Sequence, residues 1–170
     1  MGVAPLAPRT LTMPRRSAAD PWGALAVRPG FLIRRLHQIH LALFAEECVA
    51  FGVTPVQFSL LSVLAAQPGL DQATLAFAVG VDRATTANVV ARLDQRGLLR
   101  RRPGTTDRRV KQVELTPAGH RLLARIDPHA RRAHTRTLEA LRPAERARFI
   151  ALLRRLVDAG NAHGRAPMLL

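Results

Sequence analysis

At 170 residues the chain has room for one domain with arms and a real hydrophobic core, and its 26 basic against 12 acidic side chains give a net charge of +14 that suits a polyanionic partner. Every basic residue except Lys111 is arginine, a skew that a GC-rich genome produces unaided, so placement says more than the total: residues 82–111 carry nine basic against three acidic side chains, and residues 1–81 only six against four. A single cysteine, Cys48, excludes an intrachain disulfide and fits a reducing cytosol, while the lack of an 18-residue apolar run argues against a transmembrane helix.

Residues 1–29 hold Pro5, Pro8, Pro14, Pro21 and Pro29 with scattered arginines, which predicts an arm without stable regular structure and Trp22 as its one large anchor. No apolar stretch follows Arg9, Arg15 and Arg16 that would serve as a signal sequence. The first helix is predicted over about 30–50, where Leu32, Leu36, Ile39 and Leu43 form one stripe at helical spacing and Ile33, His37, His40 and Phe44 the adjacent one. Gly52 ends it. Thr54-Pro55-Val56-Gln57 starts the second helix with a cap, a first-position proline and a capping-box glutamine. Asp71 caps a third helix that ends near Val79 with Gly80 left-handed, and Asp82 caps a fourth that runs to about Arg96 and stops at Gly97. Strands are predicted at 98–102 and 109–115 around the turn Pro103-Gly104-Thr105-Thr106. Thr116-Pro117 opens a long fifth helix to about Leu141, with a kink or break at Asp127-Pro128. Pro143 opens the last helix, whose apolar face holds Phe149, Leu152, Leu153, Leu156 and Val157 and suits either a core or a dimer contact. The tail after Gly160 is expected to fray.

Two helices about a glycine turn, followed by a basic hairpin, form a device for reading duplex DNA. A recognition helix needs one apolar side to sit on its domain and one polar side of modest bulk to enter the major groove. Val89, Val90 and Leu93 supply the first; Arg83, Thr85, Ala87, Asn88 and Arg92 project elsewhere. Arginine pairs with guanine, asparagine with adenine, and threonine meets a thymine methyl or a phosphate. The hairpin carries Arg100, Arg101, Arg102, Arg108, Arg109 and Lys111, and arginine on a narrow protrusion suits the electronegative minor groove. Asp107, out of place in a phosphate-seeking loop, is expected to hold a neighbouring arginine by a forked ion pair. The plainer alternative for both features is a solvated charged surface.

Residues 31–158 resemble the MarR family of winged helix–turn–helix regulators. The resemblance is carried by Leu75, Gly80, Val81, Asp82, Arg83, Leu93, Arg96, Gly97 and Leu98, by Asp107-Arg108-Arg109, and by Leu115-Thr116-Pro117-Ala118-Gly119. It implies a mainly α fold with a small β-hairpin wing. It also implies a two-fold dimer built from the first helix and the last two, with Phe149, Leu152, Leu153 and Leu156 in the contact. The implied DNA partner is a pseudo-palindrome with half-sites about one helical turn apart. Arg83, Thr85, Thr86, Ala87 and Asn88 then fall on the base-reading segment, Thr86 at a position usually apolar, where packing is the alternative to a base contact; Arg109 becomes the minor-groove arginine and Asp107 its support. Arg142 stands where a serine or threonine usually caps the final helix, which weakens that start. The opening Pro29–His40 resembles a branch that senses aromatic acids or their coenzyme A thioesters. The resemblance puts the effector between the first, second and fifth helices, near Arg34, His37, His40, Phe58, Leu61 and Arg121, where cations could hold a carboxylate and apolar groups a ring. The alternative for His37 and His40 is an ordinary interior or interface role.

The resulting division is an arm at 1–29, a first helix at 30–53 in the dimer and ligand region, a DNA-binding lobe at 54–116, dimerisation helices at 117–160 and a tail at 161–170. A cytoplasmic repressor released by a small aromatic acid or its thioester is the expectation. Two others stand beside it: a redox-sensing repressor that uses Cys48, and a DNA binder without an effector. Glu46-Glu47 beside Cys48 argue against easy thiolate formation. An enzyme is not expected, because Asp71, Asp82, Asp94 and Asp107 are scattered and the six histidines show no metal-ligand pattern; no catalytic residue, metal or cofactor is assigned.

Overall fold

The computed structural model describes residues 23–104, 111–164, 166 and 168. The chain separates into two compact units, residues 1–35 and 36–170. In the first, residues expected to lack structure form a single helical turn, α1 (Gly23–Ala26), closed by the Arg28 amide on the Leu25 carbonyl at 3.0 Å. The predicted first helix, α2 (Pro29–Cys48), begins there, and the Arg34 guanidinium lies 5.3 Å from the centroid of the Phe31 ring.

In the second unit α2 continues into a 3-10 turn, Val49–Phe51, which closes at Gly52. Helix α3 (Pro55–Ala66) starts on a full capping box: the Thr54 hydroxyl accepts from the Gln57 amide at 3.2 Å, and the Gln57 side chain accepts from the Thr54 amide at 3.0 Å. Then come β1 (Leu70–Asp71), α4 (Gln72–Val79), α5 (Arg83–Gln95), β2 (Leu99–Pro103), β3 (Lys111–Leu115), α6 (Pro117–Thr137) and α7 (Pro143–Gly160). The sheet is antiparallel in the order β1-β3-β2, with Leu70 opposite Val113 and Leu99 opposite Leu115. The sequence shows the β2–β3 hairpin. It hides β1, because a two-residue strand is too short to show alternation and its partner lies more than forty positions away.

Two cores follow from the apolar spacing. Leu60, Leu61 and Leu64 of α3, Leu75 of α4, Val90 and Leu93 of α5, and Leu98, Leu99, Val113 and Leu115 of the wing bury one another. Phe44 and Cys48 of α2 pack with Val53 and with Ile126, Ala130 and Ala133 of α6 in the other. Burying each large side chain stabilises by roughly 1.5–3 kcal/mol, which explains the behaviour of α6. The predicted break at Pro128 does not divide it: the helix is continuous, with Ile126, Ala130 and Ala133 seated on either side of the proline. It ends at Thr137 rather than near Leu141. Helix α7 also starts better than Arg142 suggests, since the Glu145 carboxylate accepts from the Arg142 amide at 2.8 Å and pairs with its guanidinium at 2.7 Å. Among the described residues α7 buries no side chain, and Ile150, Leu152, Leu156 and Val157 are exposed.

Candidate nucleic-acid interface

The interface is set up by two carboxylate caps and one left-handed glycine. Asp71 closes α4 by accepting from the Ala73 and Thr74 amides at 2.8 and 2.9 Å, and the Thr74 hydroxyl donates to its other oxygen at 2.6 Å. These bonds, the Thr74 hydroxyl first, hold the carboxyl below its ordinary range. Gly80 then turns the chain at φ 65°, where a side chain would be strained, and the Val81 amide returns to the Ala76 carbonyl at 3.1 Å. Asp82 starts α5 by accepting from the Thr85 amide at 2.9 Å, which favours its ionised form. The angle between α4 and α5 therefore rests on local bonds within a few residues.

Helix α5 has two distinct sides. Thr86, Val90 and Leu93 are fully buried against the lobe core. Arg83, Thr85, Asn88 and Arg92 are exposed and Ala87 is half-buried. Arg83 and Arg92 form no ion pair among the described residues. One residue of the expected reading segment must be corrected: Thr86 is inside the fold, its hydroxyl 3.5 Å from the Val81 carbonyl, and has no surface with which to touch a base.

The wing is less free than its arginine count suggests. Arg100 pairs with Glu114 at 3.0 Å, Arg102 approaches the same carboxylate at 3.5 Å, and Arg101 meets Asp94 of α5 at 3.3 Å. Glu114 stands opposite Arg100 in the β2–β3 register, so period-two pairing would have revealed this contact; the Asp94 contact needs the tertiary fold. Lys111 is exposed at the start of β3, opposite Pro103. Asp107, Arg108 and Arg109 lie outside the described residues.

The expected effector residues divide into those that meet and those that do not. His40 is half-buried, its Nδ1 2.9 Å from the Thr137 hydroxyl; it stacks on His134 with ring centroids 5.0 Å apart and meets the Phe44 ring at 6.2 Å. Burial, then the nearby His134 and His37, depress its pKa. Phe58 joins this group through Phe44, at 5.8 Å. His37 is exposed beside it, whereas Arg121 is exposed near the start of α6, away from His134 and Thr137 at its end. Leu61 must be corrected: it is fully buried in the lobe core and offers no wall to a ligand. Arg34 belongs to the other unit. His134 and Thr137 were missed in the sequence; their i, i+3 spacing on the last turns of α6 was the available sign. Cys48 is 1% exposed, and burial together with Glu47 raises its pKa, the reverse of what a sensor thiol needs. Among the described residues, no single helix is long and apolar enough to cross a membrane.

Residues 51–110 match the MarR family profile. The chain is 38% identical over 135 residues to a putative transcriptional regulatory protein for the hcr operon of Thauera aromatica, covering 79% of this chain and 81% of that one. It is 35% identical to the HTH-type transcriptional repressor NicR of Pseudomonas putida, covering 79% and 85%. Among solved structures it is similar to BpsR of Bordetella bronchiseptica, whose DNA binding is regulated by 6-hydroxynicotinic acid, with a TM-score of 0.76, 34% identity and coverage of 78% and 95%. With a capped helix–turn–helix, an arginine-bearing wing and relatives matched over most of their length, the chain belongs to the MarR family of transcriptional regulators.

Proposed function

We propose that the protein is a cytoplasmic homodimeric repressor that binds a pseudo-palindromic operator and leaves it when a small aromatic acid or its thioester binds. The observation that carries the DNA part is the division of α5. Its buried side fixes the helix on the lobe and leaves Arg83, Thr85, Asn88 and Arg92 facing outward with Ala87 at their edge. These side chains suit guanine, thymine or phosphate, and adenine contacts in a major groove. Asp107, Arg108, Arg109 and Lys111 are the wing residues assigned to the adjacent backbone and minor groove, with Arg109 inserted and Asp107 orienting it. Two-fold pairing is assigned to Phe149, Leu152, Leu153 and Leu156 of α7, supported by the exposure of Leu152 and Leu156.

The effector part is supported by the cluster of His40, His134, Thr137, Phe44 and Phe58, which places imidazole and hydroxyl groups beside aromatic rings. Similarity to BpsR, whose DNA binding responds to 6-hydroxynicotinic acid, points to the same ligand class. Binding of such a ligand would favour a dimer whose reading helices no longer match successive major grooves.

The test selects a duplex from a random library with the purified protein, then titrates benzoates, hydroxycinnamates, hydroxynicotinates and their thioesters against the complex. A symmetric selected site and release by at least one of these compounds are expected. No enrichment of any duplex would overturn DNA reading; enrichment without release by any compound would leave a DNA binder of a different effector class.

A further inference from the structure

Arg96 caps α5 with its backbone amide and closes the end of α2 with its side chain. Its amide returns to the Arg92 carbonyl at 3.2 Å, which makes it the cap at the C-terminal end of the reading helix. Its guanidinium reaches across to the joint between α2 and α3, donating from one nitrogen to the Gly52 carbonyl at 2.9 Å and from another to the Phe51 carbonyl at 3.1 Å. Those oxygens stand at the end of the 3-10 turn that extends α2, where the chain turns at Gly52 with φ 56°. Carbonyls at a helix end lack helical partners and carry partial negative charge, and the planar fork of arginine satisfies two at once; an ammonium group would satisfy them less directionally.

The same joint is also held by α6. The Phe51 ring meets the His129 ring of α6 edge-on, with centroids 5.0 Å apart and planes 74° apart, and the Arg125 guanidinium lies 5.7 Å from its centroid. Phe51 thus joins α5 through its carbonyl and α6 through its ring. Arg96 itself is exposed and belongs to neither hydrophobic core, so its side chain adds no apolar burial to the fold. What does depend on it is where the far end of α5 sits relative to α2 and α6.

We infer that Arg96 is a positioning residue that locks the C-terminal end of the reading helix to the α2–α3 joint, and so sets the placement of that helix on the operator. The inference rests on the DNA reading above. Arg96→Ala and Arg96→Lys, each checked for unchanged circular dichroism and oligomeric state, test it in the full-length protein by two measurements. Hydrogen exchange follows the amides of 93–98 and 51–53. Operator binding compares the duplex selected by the wild type with one carrying a single base pair inserted between its half-sites. Exchange in both segments should rise together by about tenfold in Arg96→Ala. The wild type should bind the inserted duplex roughly tenfold or more weakly, and Arg96→Ala should lose most of that discrimination, with Arg96→Lys between the two. Unchanged exchange, or an unchanged penalty for the insertion, overturns the positioning role while the DNA reading stands. A wild-type protein that selects no symmetric duplex overturns the DNA reading and this role with it.

Discussion

His40 is held where a positive charge is unwelcome. Burial disfavours its imidazolium, and His134 stacked on one side with His37 nearby adds repulsion. Its folded pKa therefore lies below its ordinary value of 6.5, so the unfolded chain takes up this proton first as the pH falls. Stability from the neutral ring is complete above that value and is lost progressively as the pH drops toward the depressed folded pKa. Glu47 acts in a separate window: the Arg136 and Arg132 guanidinium groups hold its carboxyl below the usual range, so its contribution disappears only in more acidic solution. Urea midpoints taken across mildly acidic pH should fall in the wild type and fall less in His40→Gln. Equal slopes for the two proteins would show that another group governs the acid limb.

At the scale of elements, the wing and α6 meet at a close backbone approach. Gly119, in the first turn of α6, lies so close to the Leu98 carbonyl that an added Cβ would collide with it, and the Leu115 side chain would be 3.2 Å away. That carbonyl is already engaged, since it accepts from the Thr116 amide at 3.0 Å. The carbonyl is backbone and cannot swing aside, and the Leu115 side chain is buried in the lobe core. Gly119→Ala should therefore destabilise the lobe by roughly 1–3 kcal/mol, the usual cost of overpacking, measured as a lower urea midpoint with an unchanged slope. The legible parts of the fold share one property: they are local. Thr54, Asp71, Asp82 and Thr116 could be read as caps because each side chain bonds an amide two or three residues ahead. What escaped depends on distant partners. The strand β1 exists only against β3, α6 stays whole because its flanking residues are buried, and Arg101 finds Asp94 only after the wing folds beside α5. The site divides the same way: periodicity showed that α5 has a reading face but did not place Thr86 or Leu61 inside the lobe.

At the scale of the whole molecule, α7 gives the clearest test of assembly. Its Leu156 is 65% exposed, so a charge there costs the isolated chain little. In the proposed dimer the same charge would be buried against a second copy without a partner, which is strongly unfavourable. Leu156→Glu should keep the wild-type helix content yet sediment as a monomer, and its affinity for a full operator should fall toward that for a half-site. A variant that remains dimeric would move the two-fold contact away from this face.

The division of α5 into an inner and an outer set has a consequence for retargeting. Thr86, Val90 and Leu93 answer to the lobe, while Arg83, Thr85, Asn88 and Arg92 answer to solvent or to DNA. Because the two sets share no position, the outer four can be exchanged as a block without repacking the interior. The scaffold would then serve as a chassis that accepts a new reading alphabet, with the choice of target sequence varying independently of the stability of its reader.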